Sequence, residues 1–73
     1  MLTTAQCRAA RALLKWNQQD LADRSEVAVS TIKKFETETT APHNSTLKLL
    51  RQTFEAQGIE FIDEGSGGVW LKG

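Results

Sequence analysis

Two short segments of helical character, at about residues 18–24 and 28–36, are separated by only three residues. Helices joined by so short a connection must cross at a steep angle, and the first helix then needs a small residue where the second packs over it. Ala22 meets that requirement. The positions that such a pair would bury are apolar: Leu21, Val27, Ile32 and Phe35. The pattern therefore predicts two short, steeply crossed helices with a shared apolar side.

Local capping signals place the helices at the N-terminal end of the chain. Thr3 and Gln6 stand at the spacing of a capping box, and several alanines follow them. These residues predict a first helix over about residues 4–15. Asn17 is a good N-cap for the helix at 18–24. Trp16, between the two helices, is expected to close the small core.

The chain after the crossed pair predicts a loop and then a fourth helix. Residues 37–42 are rich in threonine and end in the only proline of the chain, which cannot lie in a helix interior. Asn44 or Ser45 could cap the next helix, which would run to about Gln57 and end at Gly58. Leucines at helical spacing supply the apolar face of this helix.

Beyond residue 58 the pattern changes to short β-prone runs. Residues 59–63 and 69–72 are rich in apolar and aromatic side chains, and glycines crowd the turn between them at residues 64–68. Two such runs around a glycine-rich turn predict a β-hairpin. An isolated two-stranded hairpin is only marginally stable in water, so this one must pack on the helices or on another chain.

The charges of the chain cancel overall but are unevenly distributed. Nine Lys and Arg residues balance nine Asp and Glu residues. Residues 1–54 hold eight basic and five acidic residues, which is +3, and residues 55–73 hold one basic and four acidic ones, which is −3. Such asymmetry suggests a charged partner for one part of the chain. A mixed, solvated surface would account for it equally well.

Several classes of protein are disfavoured by what the sequence lacks. With Cys7 as the one cysteine and His43 as the one histidine, we expect no disulfide within the chain and no structural zinc. Cys7 is expected to be a small buried residue. The sequence has no nucleophile–base pair, no paired carboxylates and no glycine-rich loop before a helix. It therefore does not predict an enzyme, and no cofactor is expected. No apolar run approaches the roughly 20 residues of a membrane span and no signal peptide is visible, so a cytoplasmic protein is expected.

The helix at 28–36 also has a polar face. Four residues share one side of it at i, i+1, i+4, i+5 spacing: Val29, Ser30, Lys33 and Lys34. This side is short-chained at its start and basic at its end. An α-helix fits the major groove of DNA, where its N-terminal residues reach base edges. The alternative is that both lysines are ordinary solvated charges.

Residues 4–57 resemble the helix-turn-helix of the Cro/repressor type, the xenobiotic-response-element family of bacterial and phage transcription regulators. The resemblance is carried by Asn17-Gln18, Leu21-Ala22, Val27, Ser30-Thr31-Ile32 and Phe35-Glu36. It implies a mainly α fold, with a compact four-helix helix-turn-helix domain over residues 1–57. The C-terminal β-hairpin over residues 58–73, which lies outside this resemblance and is predicted from its own residues, would serve dimerisation or packing.

The resemblance also implies roles for individual residues. Gln18 would hold a DNA phosphate at the start of the second helix, and an ion pair between Arg11 and Glu36 would orient the recognition helix. His43 could contact phosphate, help to cap the fourth helix or have no role. The full set expected to contact double-stranded DNA is Gln18, Val29, Ser30, Thr31, Lys33, Lys34, Thr37, Thr39, Thr40 and His43.

Two departures from the family pattern have physical consequences. Glu26 occupies the turn position that glycine usually takes, and a positive φ there would cost about 1 kcal/mol of strain. Residues 37–41 lack the arginines that are common in this loop and offer hydroxyls and backbone N–H groups instead. Phosphate contacts there would be neutral hydrogen bonds, which predicts modest affinity for each half-site.

Together these features predict a sequence-specific transcriptional regulator that binds an inverted-repeat operator as a homodimer and is then associated with the nucleoid. One recognition helix covers few base pairs, so we expect two half-sites roughly 34 Å apart. The hairpin is expected to form the dimer interface through Ile59, Phe61, Val69, Trp70 and Leu71. The alternative is a protein-interaction module, an antitoxin or antiactivator, whose acidic hairpin captures a basic partner.

Overall fold

The computed structural model describes residues 2–62 and 67–72, so most of the turn predicted at 64–68 lies outside the described residues. Four helices are followed by two antiparallel strands, which confirms the predicted mainly α fold with a C-terminal hairpin. The elements are α1 Thr4–Leu14, α2 Gln18–Ser25, α3 Val29–Glu36, α4 Asn44–Glu55, β1 Ile59–Ile62 and β2 Gly68–Leu71. No helix in these two ranges is long and apolar enough to span a bilayer.

Capping boxes begin the first two helices. The sequence predicts the box at α1, and at α2 it predicts Asn17 as the N-cap but not the box. The Thr3 hydroxyl accepts from the Gln6 N–H, and the Gln6 side-chain oxygen accepts from the Thr3 N–H, both at 3.0 Å. Asn17 and Asp20 exchange the equivalent bonds at 2.7 and 2.9 Å. Each box satisfies two backbone donors that a helix start leaves without partners.

The predicted cap of α4 is wrong. Asn44 and Ser45 both lie inside the helix, and the N-cap is His43, whose side chain makes no capping bond. The helix begins one residue early because the His43 carbonyl already accepts from the N–H groups of Thr46 and Leu47, at 3.0 and 3.1 Å. At the other end α4 stops at Glu55, and a turn leads to Gly58 at φ +92°.

The connection between α2 and α3 turns through Glu26, which has φ 62°. This confirms the positive φ considered for that position. The Glu26 N–H closes α2 by donating to the Ala22 carbonyl at 2.9 Å, and the Val27 N–H donates to the Ser25 hydroxyl at 3.2 Å. Two backbone N–H groups of the turn are therefore hydrogen-bonded despite the left-handed residue.

The core is a single cluster between the helices and the hairpin. Leu21, Ile32, Leu50 and Phe54 are completely buried in it. Trp16 stacks on Phe54 with ring centroids 5.9 Å apart and is half-buried, so it closes one side of the core as expected. Phe61 meets the Phe54 ring edge-on, with ring centroids 6.2 Å apart.

The hairpin completes this core. Ile59 pairs with Leu71 and Phe61 with Val69, so these four residues share one face of the sheet. Ile59 and Phe61 are only 3% and 8% exposed and belong to the core cluster. We expected both at a dimer interface, but the structure places them inside the subunit, because the thin helical core needs their apolar area.

Candidate nucleic-acid interface

Helix α3 has one buried and one open side. Ile32, Phe35 and Glu36 are buried, whereas Ser30, Lys33 and Lys34 are exposed. Two further residues of the expected set, Val29 and Thr31, are half-buried, and Val29 packs against the core cluster. The open side is therefore centred on Ser30 and the two lysines.

The start of α3 carries a residue outside the set that the sequence predicts to contact DNA. The N-cap is Ala28, which is exposed and makes no side-chain capping bond. The first backbone N–H groups of α3 have no intrahelical acceptor and carry the positive end of the helix dipole. An exposed methyl group can contact the C5-methyl group of a thymine, and free N–H donors at a helix start can bind a phosphate. Recognising Ala28 needed the true start of α3, which the sequence placed one residue too early.

The threonine-rich loop after α3, residues 37–42, forms more hydrogen bonds within the chain than the sequence suggested. The Thr37 hydroxyl lies 2.9 Å from the Lys33 carbonyl and 2.8 Å from the Thr39 hydroxyl. The backbone N–H groups of Thr37, Glu38 and Thr39 donate to α3 carbonyls. Thr37 and Thr39 therefore have few donors to offer a phosphate while these bonds hold.

Thr40 lies in a different position from the other loop threonines. With Thr31, Lys34 and Pro42 it lines a shallow cleft between α3 and the loop. The cleft brings two hydroxyls and an ammonium group together, all of which can donate to an anion. Glu38, at φ 58°, adds an exposed carboxylate to the loop, which opposes anion binding there.

A group of polar side chains, two buried and two half-buried, joins α1, α2 and α3. We call its members, Cys7, Arg11, Gln18 and Glu36, the Glu36 cluster. Arg11 Nε lies 2.7 Å from Glu36 Oε2, and Arg11 Nη2 lies 2.6 Å from Oε1. This is the ion pair that the resemblance implies. Gln18 Nε2 donates to Oε1 at 3.0 Å and the Cys7 thiol donates to Oε2 at 3.3 Å, and neither bond was foreseen.

The cluster holds a charged pair at the edge of the core, with Glu36 buried and Arg11 half-buried. Burial alone would raise the pKa of Glu36, but hydrogen bonds from Arg11, Gln18 and Cys7 outweigh it and hold the pKa below its ordinary value. The hydrogen bond to Glu36 raises the pKa of Arg11. Burial and the Glu36 charge raise the pKa of the Cys7 thiol. At neutral pH the cluster is therefore an ion pair with a neutral thiol beside it.

The sequence that forms these four helices matches a known protein family. Residues 8–59 match the helix-turn-helix family of the Cro/repressor, or xenobiotic-response-element, type. The chain belongs to this family. Its members are DNA-binding transcription regulators and not enzymes. A search of curated proteins finds no match to the chain.

The family match covers most of this helix-turn-helix protein. It begins at Arg8, inside α1, and includes all of α2, α3 and α4. It ends at Ile59, the first residue of β1. The hairpin of this helix-turn-helix protein therefore lies almost entirely beyond the matched segment. His43 lies within the match, exposed at the start of α4, and its side chain is not used for capping.

Proposed function

We propose that this helix-turn-helix protein regulates transcription as a homodimer that binds an inverted-repeat operator with α3 in the major groove. The observation that supports it best is the division of α3. Ile32 and Phe35 anchor one side in the core, while Ser30 and Lys33 stand open on the other. The regulator would act on bacterial or phage DNA in the cytoplasm, at the nucleoid.

Within this proposal, the residues on the open side of α3 contact different parts of the DNA according to their position along the helix. Val29, Ser30 and Thr31 lie in the first turn, from which side chains contact base edges. Lys33 and Lys34, one turn further on, would contact base edges or the adjoining phosphates. Gln18, Thr40 and His43 would bind phosphates beside the groove. Thr37 and Thr39 would contribute only after their mutual hydrogen bond opens.

The proposed dimer needs a surface that the subunit leaves uncovered. Trp70 is 52% and Ile62 45% exposed, and both lie on the sheet face that points away from the core. Lys72 and Glu60 form an ion pair beside them at 2.9 Å. We call these four residues the outer hairpin face. A two-fold interface must be complementary to itself, and a face with an apolar centre and both signs of charge supports that.

The other hairpin residues expected at the interface contribute less. Leu71 is 40% exposed and Val69 is half-buried, and both lie on the core side of the sheet. We propose that Trp70 and Ile62 form the centre of the interface. The protein-interaction alternative is not favoured by the family, and Glu60, one of its acidic residues, is already paired with Lys72.

The DNA-binding proposal is tested with a duplex selected from a random-sequence pool by the full chain. Lys33→Ala and Lys34→Ala should each weaken binding and reduce the slope of log affinity against log salt by about 1. Lys48→Ala, which removes an exposed lysine from α4, is the matched control. The recognition-helix assignment fails if both α3 variants bind as tightly as the parent at every salt concentration.

The dimer proposal is tested by point substitution. Truncation after Gly58 is unsuitable because it removes Ile59 and Phe61 from the core. Trp70→Gln should shift the chain from dimer to monomer in light scattering at micromolar concentration. Leu49→Gln, at a leucine that is 42% exposed on α4, should leave the mass unchanged. An unchanged dimer in Trp70→Gln would exclude the outer hairpin face.

A further inference from the structure

The Glu36 carboxylate uses its full capacity for hydrogen bonds. An ionised carboxylate has two oxygens with about four acceptor positions between them. Arg11 and Gln18 donate to Oε1, while Arg11 and Cys7 donate to Oε2. Each oxygen thus has two donors, and the side chain is only 4% exposed. The orientation of this carboxylate, which belongs to α3, is therefore fixed by donors from two other helices, α1 and α2.

The consequence falls on Gln18, the first residue of α2. Its amide nitrogen carries two N–H donors, and one of them is directed at Glu36. Because a carboxylate only accepts, this bond also determines which side of the amide carries the nitrogen. The second N–H is left for an acceptor outside the chain, beside the free backbone N–H groups at the start of α2.

We propose that Glu36 is a positioning residue that aims the Gln18 amide at a DNA phosphate, with the Cys7 thiol holding the far oxygen of the carboxylate. The inference rests on the proposed function, since it requires Gln18 to contact phosphate. Glu36 never touches DNA in this arrangement. It acts by restricting the rotamers of Gln18 before DNA arrives, so that less side-chain entropy is lost on binding.

The position of Glu36 gives the arrangement a second effect. Glu36 is the last residue of α3 and Gln18 the first residue of α2, so their bond links the phosphate contact to the far end of the recognition helix. Cys7 and Arg11, one turn apart on α1, hold the same carboxylate from the other side. The distance between the phosphate contact and the groove-facing side chains is therefore set by side-chain bonds as well as by the turn at Glu26.

The first experiment needs no DNA. In a ¹H–¹⁵N spectrum of the full chain, one Gln18 side-chain proton should lie downfield and exchange slowly, because it is donated to a carboxylate. The side chain of the exposed Gln57 serves as an internal reference, and Gln18→Ala identifies the signal. Gln18 protons that coincide with those of Gln57 would overturn the proposal whatever the DNA experiments show.

The second experiment is a double-mutant cycle on the DNA selected by the full chain. Gln18→Ala and Glu36→Gln should each weaken binding by about 5-fold per subunit, the equivalent of one hydrogen bond. In the Gln18→Ala background, Glu36→Gln should cost nothing further, because its effect passes through Gln18. If the fold-losses in affinity of the two single variants multiply in the double variant, Glu36 has a merely structural role and the proposal is overturned.

A replacement variant and a separate outcome for Gln18→Ala keep the experiment interpretable. If Glu36→Gln does not fold, Cys7→Ala replaces it in the cycle, and Cys7→Ser, which restores a donor, should recover the Gln18 signal. If Gln18→Ala alone binds as tightly as the parent, the proposed phosphate contact itself is wrong, which is a different result from uncoupled losses.

Discussion

Arg11 and Glu36 meet through two parallel contacts, Nε to Oε2 and Nη2 to Oε1, at 2.7 and 2.6 Å. The side chains are 18% and 4% exposed, so the pair lies at the edge of the core. A buried ion pair is tolerated only when its remaining hydrogen-bond capacity is filled. Here Cys7 and Gln18 fill it, and no buried side-chain polar atom within residues 2–62 and 67–72 lacks a partner.

This pair predicts a specific loss of stability in acid. The pKa of Glu36 is lower in the folded than in the unfolded chain, where it is about 4.3. Its contribution is therefore complete above the unfolded pKa and disappears as the pH falls through the folded pKa. In urea unfolding from pH 7 to pH 3, the difference in free energy of unfolding between the parent and Glu36→Gln should shrink with falling pH.

The matched control for the acid experiment is Glu55→Gln. Glu55 forms an exposed ion pair with Arg51 at 3.3 Å, so its removal should change stability little at any pH. Glu60 also has a lowered pKa, through hydrogen bonds from Lys72 and Trp70, but it is present in both proteins and cancels in the comparison. A difference that stays constant with pH would show that Glu36 does not supply this stability.

Glu26→Gly should stabilise the protein. Glu26 has φ 62°, a conformation that glycine adopts without strain. The gain should be about 1 kcal/mol, which corresponds to roughly 4–8 °C in melting temperature for a domain of this size. Ala12→Gly, at an exposed position inside α1, should cost about 1 kcal/mol and serves as the control. A lower melting temperature for Glu26→Gly would show that the turn is unstrained.

The two glycines that begin the second arm of the hairpin should respond differently to alanine. Gly67 has φ +76°, and a Cβ there would lie 3.1 Å from Nε2 of the buried Gln6, so Gly67→Ala should cost about 1–2 kcal/mol. Gly68 has ordinary geometry, and its Cβ would make a normal 3.7 Å contact with Ile62. Gly68→Ala should be neutral or slightly stabilising in chemical denaturation. Equal costs would contradict the backbone described at Gly67.

Cys7 should be inert in the folded protein. It is completely buried, and burial and the Glu36 charge raise the pKa of its thiol, so little thiolate is available to react. A thiol-specific reagent at pH 8 should label the unfolded chain rapidly in urea. In native buffer the labelling rate should follow the rare opening of the core. Fast labelling of the native protein would show that α1 separates from α3 more readily than this packing allows.

The parts of the fold that were predictable from sequence are those with local causes. Thr3 with Gln6 and Asn17 before α2 act within one helical turn, so their spacing along the chain was enough to identify them. His43 is the counter-example. It is the N-cap of α4, but its side chain makes no capping bond, so the sequence carries no local signal for this helix start.

The features that were not predictable depend on distant partners. The Gln18–Glu36 and Cys7–Glu36 bonds join residues 18 and 29 positions apart, and no local pattern encodes them. The division of the hairpin into a core face and an outer face follows from how β1 packs on the helices. For that reason the apolar residues of the hairpin looked interchangeable in sequence, although Phe61 is buried and Trp70 is exposed.

The burial of Ile59 and Phe61 makes the helical core depend on the first strand of the hairpin. A proteolytic cut before Ile59 would remove two residues of the core and leave α2 and α3 without a stable platform. A fragment that ends before Ile59 is therefore expected to compete poorly with the intact chain for DNA.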